Sequence, residues 1–544
     1  MSTPSTNIYL CRGVPLNNRY DHTLYFADAA AQLAYFQSKV VRTLNDYSYV
    51  RKSWKLKVAA TMEAARVWSY LFFQNGTSGK RYFYFINQIE YINDNAVELT
   101  LELDVIQTYM FDWTLRPCFV EREHSVTDEY GENTIDEGLD VGEFKVWEKE
   151  SYSLCDDLAI MVAASIDLNK YYINNVEDRI IAGYYDSIFG GFELTALPIT
   201  DENGKSNIPA FAGMLYKLGS ETDGKLDAIF TMWQYPKKLL NLSNGSYNDP
   251  FLKYIEGAKA QTYECKARPT EIDGYKPKNN KVFQYPYCFM YATNNSGGAA
   301  VYKYEYANGG LTFRIEGNLS PDAVVRATPV SYKGVSNNYD ESITVSNFPL
   351  CSWNSDPYKM WLAQNQNQQT WGYVSSALKI VGGVAAMTGG ALTTSSTGGV
   401  AGGVGSVMMG TGFNMVTSGA GDIITQIAQR ADMEIQPPQA RGTITGSHNL
   451  SKGLLGFTFY HKTIDKYHAE IIDNFFSMYG YATRKVKIPN ISSRPAWNHV
   501  KTIDSNIGGD FCAEDLKQIN DIFDKGITFW KNTDVGNYEI DNRP

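Results

Sequence analysis

Apolar and polar positions alternate cleanly near residue 100. Val97, Leu99, Leu101, Leu103 and Val105 fall on one side of an extended chain, and Glu98, Thr100, Glu102 and Asp104 on the other. Period-two patterning of this kind predicts a strand over 96–106 with one face buried and the other acidic and wet. A partner strand over 81–92 is joined to it at the turn signal Asn93-Asp94-Asn95. Before this pair, 28–39 reads as a helix capped by Asp28, and 61–74 as a second helix behind Thr61, stopped at Asn75-Gly76. Between about 130 and 350, short apolar runs (160–166, 285–291, 301–306) sit among Asn-, Gly- and Asp-rich turns, which predicts one or two β-rich modules. Toward the C-terminus the pattern becomes α/β again. It gives a strand at 454–460, then a helix at 464–479 carrying Ile464, Tyr467, Ile471, Ile472 and Phe475, stopped by Gly480. A strand at 484–488 follows, and a last helix at 513–525 burying Leu516, Ile519, Ile522 and Phe523.

One segment has neither period. From 380 to 421 the chain runs 42 residues without a charged side chain, His or Pro, and 13 of them are Gly. A stretch so long and so uncharged is hidden inside an assembly or meets lipid. Its apolar weight lies in Ile380, Val381, Val384, Met387, Leu392, Val400, Val404, Val407, Met408, Met409, Phe413, Met415 and Val416. Such a segment has length for two bilayer crossings of about 20 residues each, reversing near 393–399. Gly398 and Gly402, like Gly399 and Gly403, have the spacing of small-residue helix contacts. The plainer alternative is a flexible Gly-rich linker, though linkers carry more Ser, Pro or charge. A polar collar, 364–369, precedes the segment. Ile423, Ile424 and Ile427 follow it at helical spacing and complete the candidate membrane-interacting set, with Pro437-Pro438 ending that helix.

Composition narrows the class. At 544 residues the chain holds two to four domains, and 14 % aromatic content with 38 Tyr favours strands. A net charge of −10 without a basic patch repels rather than grips nucleic acid. Met1-Ser2-Thr3-Pro4 lacks the basic and apolar regions of a signal peptide. Seven Cys at 11, 118, 155, 265, 288, 351 and 512, with no CxxC, predict buried free thiols in a protein made in a reducing cytoplasm.

Catalytic signals are weak. Gly76-Thr77-Ser78-Gly79-Lys80 is too short between its glycines for a phosphate loop and reads as a hairpin loop. His461, Asp465 and His468 match no metal-ligand spacing. Glu121 and Glu123 share a strand face, and a solvated acidic face accounts for them as well as an acid/base pair does. The expectation is a protein that is not an enzyme and holds no cofactor or metal.

Several colinear stretches resemble the tail knob (distal tail tube) proteins of small short-tailed bacteriophages infecting Gram-positive bacteria. They are Leu103-Asp104-Val105-Ile106-Gln107-Thr108-Tyr109-Met110-Phe111, Phe119-Val120-Glu121-Arg122-Glu123-His124, Thr134-Ile135-Asp136-Glu137-Gly138-Leu139, Tyr285-Pro286-Tyr287-Cys288, Pro437-Pro438-Gln439, Tyr479-Gly480-Tyr481, Arg484-Lys485-Val486-Lys487-Ile488-Pro489-Asn490, Phe523-Asp524-Lys525-Gly526-Ile527-Thr528-Phe529-Trp530 and Val535-Gly536-Asn537-Tyr538. The resemblance implies an α+β, β-rich fold: tandem tail-tube-like β-barrel domains, an inserted β-rich middle region and a long hydrophobic loop. The expected division is 1–130 for an N-terminal tube barrel, 131–355 for a middle region, 356–440 for the loop with flanking helices, and 441–544 for the C-terminal part of the tube. It further implies a homo-hexamer at the virion tail tip, in contact with other tail proteins. Its loops would fill the lumen and, on release, form a channel in the host membrane for genome ejection. Viral double-stranded DNA would pass without specific binding, since six copies carry about −60. A receptor-binding tail protein recognising a host surface glycan is the alternative reading; a cell-wall hydrolase would need a catalytic centre that no motif supplies.

Overall fold

The computed structural model describes residues 6–45, 47–50, 53–164, 183–186, 193–199, 229–244, 253–320, 323–346, 348, 350–352 and 454–544. The described chain is β-rich with few helices and forms two compact units, each assembled from separated stretches. The first contains Met1–Phe144, Pro269–Tyr287 and Ile464–Pro544, so the two ends of the chain share one unit. The second contains Lys145–Arg268 and Cys288–Thr463.

The first unit is built on two sheets. One has seven strands in the order Val40–Leu44, Ile8–Cys11, Tyr70–Gln74, Arg81–Asn93, Ala96–Leu103, Lys55–Val58, Tyr47–Val50. The other has five: His22–Leu24, Ile527–Trp530, Trp497–Ile503, Cys118–Glu123, Tyr481–Lys487. Tyr70, Phe72, Phe83 and Phe85 of the first sheet enclose a core with Phe36, Val105 and Ile106 and with Ile519, Ile522 and Phe523 of the last helix, Ala513–Lys525. The opposite face of the seven-stranded sheet buries Leu71, Tyr84, Val97, Leu99 and Leu101 under Ala60, Ala65 and Trp68.

The patterned elements form much as their spacing predicts. Asp28 caps the helix Ala29–Ser38 by accepting from the amides of Ala30 and Ala31, and Gly526, at φ 99°, ends the last helix. Three expectations are corrected. Thr61 does cap a helix, but that helix is only Met62–Ala65, and Tyr70–Gln74 is a strand. Tyr70 and Phe72 face one core and Leu71 the other, a two-sided burial that a strand supplies and a one-faced helix does not. The strand after the hairpin stops at Leu103, because Asp104 turns the chain into the short helix Val105–Tyr109 by accepting from the amide of Gln107 at 3.0 Å. Asp104 is therefore buried and does not belong to the wet acidic face.

The third correction concerns the helix Lys466–Tyr479. Its buried face is Ala469, Ile472, Asp473 and Phe476, while Tyr467 and Ile471 point outward. Asp473 decides this orientation: its carboxylate accepts from the Tyr275 hydroxyl, the amides of Lys278 and Asn279, and the Asn279 side chain. Four donors on one carboxylate offset its desolvation and draw that face inward.

Among the described residues the second unit has three larger sheets. Seven strands run Leu240–Asn244, Lys253–Ala258, Gly183–Asp186, Glu193–Pro198, Leu158–Ala164, Ile229–Pro236, Leu350–Ser352. Four run Phe144–Ser153, Gly456–Ile464, Cys288–Thr293, Ala299–Tyr302, and a further sheet is centred on Thr312–Gly317 and Val325–Tyr332. The apolar run expected at 301–306 ends as a strand at Tyr302 and continues as the helical turn Tyr304–Ala307. Of the six thiols with described surroundings, five are buried and Cys512 is exposed.

Candidate functional site

The predicted membrane-interacting residues lie outside the described residues, which break off after Ser352 and resume at Leu454. That holds for Ile380, Val381, Val384, Met387, Leu392, Val400, Val404, Val407, Met408, Met409, Phe413, Met415 and Val416, and equally for Ile423, Ile424 and Ile427. The collar at 364–369 and the helix ended by Pro437-Pro438 fall in the same interval.

What the structure describes is the frame from which this interval departs and to which it returns, all within the second unit. The departing strand, Leu350–Ser352, is the last of the seven-stranded sheet and among the described residues pairs with Ile229–Pro236, through Thr231–Ser352, Met232–Cys351 and Trp233–Leu350. Met232 also pairs with Val162 of the strand Leu158–Ala164. Cys351 and Val162 are thus two strand spacings, roughly 10 Å, apart.

The returning chain is fastened to the turn that leads into that same strand. The Leu455 carbonyl accepts from the amide of Leu154 at 2.8 Å and from the Cys155 thiol at 3.6 Å, and the Leu454 carbonyl accepts from Asn295 Nδ2 at 2.8 Å. Gly456, at φ 143°, runs so close to the Tyr152 carbonyl that a Cβ would stand 2.1 Å from it. Phe457 and Phe459 are buried immediately afterwards, Phe459 stacking on Tyr263 at 5.4 Å. The described residues on either side of 353–453 are therefore tied to one sheet and its entry turn.

In the first unit, residues of the stretches that carry the family resemblance take part in a network of buried and half-buried polar groups. Glu137 sits between the Arg122 guanidinium and the Lys281 ammonium and accepts from the amide of Ala482 at 3.0 Å. Asp128 accepts from the Tyr481 hydroxyl at 2.6 Å and from the amide of Asn280 at 2.9 Å. Asp524 accepts from the Thr502 hydroxyl at 2.7 Å and the Ser505 amide at 3.0 Å. His124 Nδ1 accepts the backbone N–H of His499 at 2.8 Å, so Nε2 carries the proton and donates to the Ser477 carbonyl. Burial pushes the imidazoles of His124 and His499 down to about 3 and keeps both neutral. Most of these partners lie more than a hundred residues apart, and their single letters give no signal of it; the colinear motifs mark Arg122, His124, Glu137, Tyr481 and Asp524 but not Lys281, Asp128 or His499, which meet them.

The weaker chemical candidates resolve into structure. Residues 76–80 connect the strands Tyr70–Gln74 and Arg81–Asn93, with the Asn75 amide donating to the Lys80 carbonyl. Glu121 and Glu123 do not form a solvated face. A bulge between Val120 and Arg122 separates them, leaving Glu121 half-exposed to Lys501 and Glu123 buried against Lys487 and the amide of Asn490. His461 is fully buried and bonded to the Tyr304 hydroxyl, and His468 is held by the helix-capping carboxylate of Asp465.

Comparison with known proteins defines the class first. Residues 4–114 match the caudoviral major tail protein N-terminus, the mark of a tail protein of a tailed phage. Residues 253–543, more than half of the chain, match the C-terminal domain of the tail knob protein gp9 of Bacillus phage phi29, and the chain belongs to that family. It is 28 % identical to the tail knob protein gp9 of Bacillus phage B103 and 27 % identical to that of phage phi29, covering 99 % of this chain and 98 % of each relative. The solved tail knob protein gp12 of bacteriophage C1 has the same fold at a TM-score of 0.61, with 14 % identity and 99 % of each chain covered. The protein is thus a structural tail knob protein of a short-tailed phage, a component of the virion tail.

Proposed function

We propose that six copies of this chain form the distal tail tube, in association with other tail proteins. In this reading the first unit supplies tube-barrel domains, and residues 353–453 carry a hydrophobic loop that blocks the lumen. When released, the loops insert into the host membrane and form the channel through which the genome is ejected. The exchange is a two-state switch in which burial in the lumen gives way to burial in lipid. The observation that carries the reading is the 42-residue uncharged run at 380–421 in a chain of the tail knob family. The frame supports it, since an insertion tied at both ends to one sheet can leave its resting place without unfolding its host. The acidic balance of −10 per copy suits a lumen through which DNA slides without being held.

Deletion of 380–421 tests this. The deleted protein is expected to fold and assemble as the parent does and to lose its ability to release dye from liposomes. Unchanged leakage after deletion rules out insertion by this segment; failure to fold shows that the segment is core and not a loop.

A further inference from the structure

Two exposed surfaces of the first unit each combine apolar side chains with unpaired charge, of opposite sign on the two. One is the far half of the strand Arg81–Asn93. On that side its neighbour Tyr70–Gln74 covers Arg81–Phe85, and one further bond joins the Ile86 amide to the Ser69 carbonyl. From Asn87 to Asn93 that side makes no backbone hydrogen bond among the described residues. This free edge contains neither Lys nor Pro, the residues that ordinarily protect an edge from pairing. It exposes Tyr91 at 58 % and Ile92 at 43 % beside Asp94, with Glu63 in electrostatic reach of the Tyr91 phenol. Asp94 and Glu63 form no ion pair among the described residues.

The other surface crosses three strands of the five-stranded sheet. Phe119 pairs directly with Val486 on one side and with Ile503 on the other, so their side chains form a row on one face. That row faces solvent: Val486 is 72 % exposed, Ile503 46 %, and Ile488 continues it. The strand carrying Val486 is the sheet's edge. Arg484 and Lys485 on it are exposed and form no ion pair among the described residues.

We infer that these surfaces bind each other between copies of this chain, the hairpin tip Tyr91–Ile92 of one copy packing on the row Val486–Phe119–Ile503 of the next. Asp94 and Glu63 then face Arg484 and Lys485, removing two unpaired charges of each sign from opposed rims. Joining two different patches of one chain makes a head-to-tail contact, which propagates from copy to copy and gives a ring when the rotation between copies closes. This rests on the reading of the protein as a tube wall and names the faces that build it.

Charge reversal provides the test, in the full chain, by light scattering after size exclusion. Glu63→Lys with Asp94→Lys is expected to raise the concentration for half-assembly about tenfold or more, and so is Arg484→Glu with Lys485→Glu. Mixing the two double variants restores assembly, because each then meets its complement at both faces. Circular dichroism melts matching the parent confirm that the variants fold. Independently, Tyr91→Cys with Val486→Cys and Cys512→Ser should oxidise to a covalent ladder extending beyond dimers. A parent that assembles while neither reversal weakens it and no ladder forms overturns the inference and leaves the tube reading standing. A parent that stays monomeric at every concentration overturns both.

Discussion

The phenol of Tyr70 donates to Asp104 Oδ2 at 2.7 Å, with both side chains out of contact with water. Burial raises the Asp104 carboxyl to about 6 from its ordinary value of 3.8, against the opposing pull of the Gln107 amide and the Tyr70 hydroxyl. Because the folded value is the higher one, the associated stability is fully present below pH 3.8 and is lost as pH rises through 6. That displacement corresponds to roughly 3 kcal/mol. Asp104→Asn keeps an oxygen for the Gln107 amide and removes the ionisation. The parent's denaturation midpoint minus the variant's should therefore decline between pH 4 and pH 7. A difference independent of pH would show that Asp104 titrates normally.

His124 has the opposite sign. Its folded value lies near 3, below the ordinary 6.5, so its contribution is complete above pH 6.5 and is lost as pH falls toward 3. His499 behaves alike and lies against it. The imidazole resonances of both should stay neutral at pH 5, where an exposed histidine is charged. His124→Asn, which keeps an acceptor for the His499 amide but loses the bond to Ser477, should cost about 1–2 kcal/mol at pH 7 and flatten the decline toward pH 5. Titration of either ring near 6.5 would contradict the buried arrangement.

Gly480 is a third point of dependence. Its φ is 66°, and a Cβ would stand 2.2 Å from the Glu123 carbonyl oxygen and 2.6 Å from the His124 amide. The obstacle is backbone, which cannot swing aside. Gly480→Ala should destabilise the first unit by roughly 3 kcal/mol or more, read as a lowered denaturant midpoint. A loss under 1 kcal/mol would mean that the helix end and the strand behind it separate easily.

Placing Asp at Val404 or Val407 probes the segment outside the described residues. A charge at the centre of an inserted helix costs about 2.5–3.5 kcal/mol, so liposome leakage should fall by around two orders of magnitude. The melting temperatures of the two units should not change. Equal leakage from variant and parent would exclude these positions from the bilayer.

Sequence alone determined what local spacing controls. The hairpin 81–103, the Asp28 cap, the last helix and the uncharged run at 380–421 are legible because each is written in neighbouring residues. The colinear motifs marked the family, without saying what those residues do. Tertiary structure decided the rest. Tyr70–Gln74 became a strand because two cores claim its opposite faces. The helix Lys466–Tyr479 turned Asp473 inward because donors from 275–279 reach it. Glu123, which is indistinguishable from Glu121 as a letter, is buried because a bulge aims it at Lys487 across 364 residues of chain. A buried charge is stable only where distant partners converge on it, and that convergence is a property of the folded chain, not of any window along it.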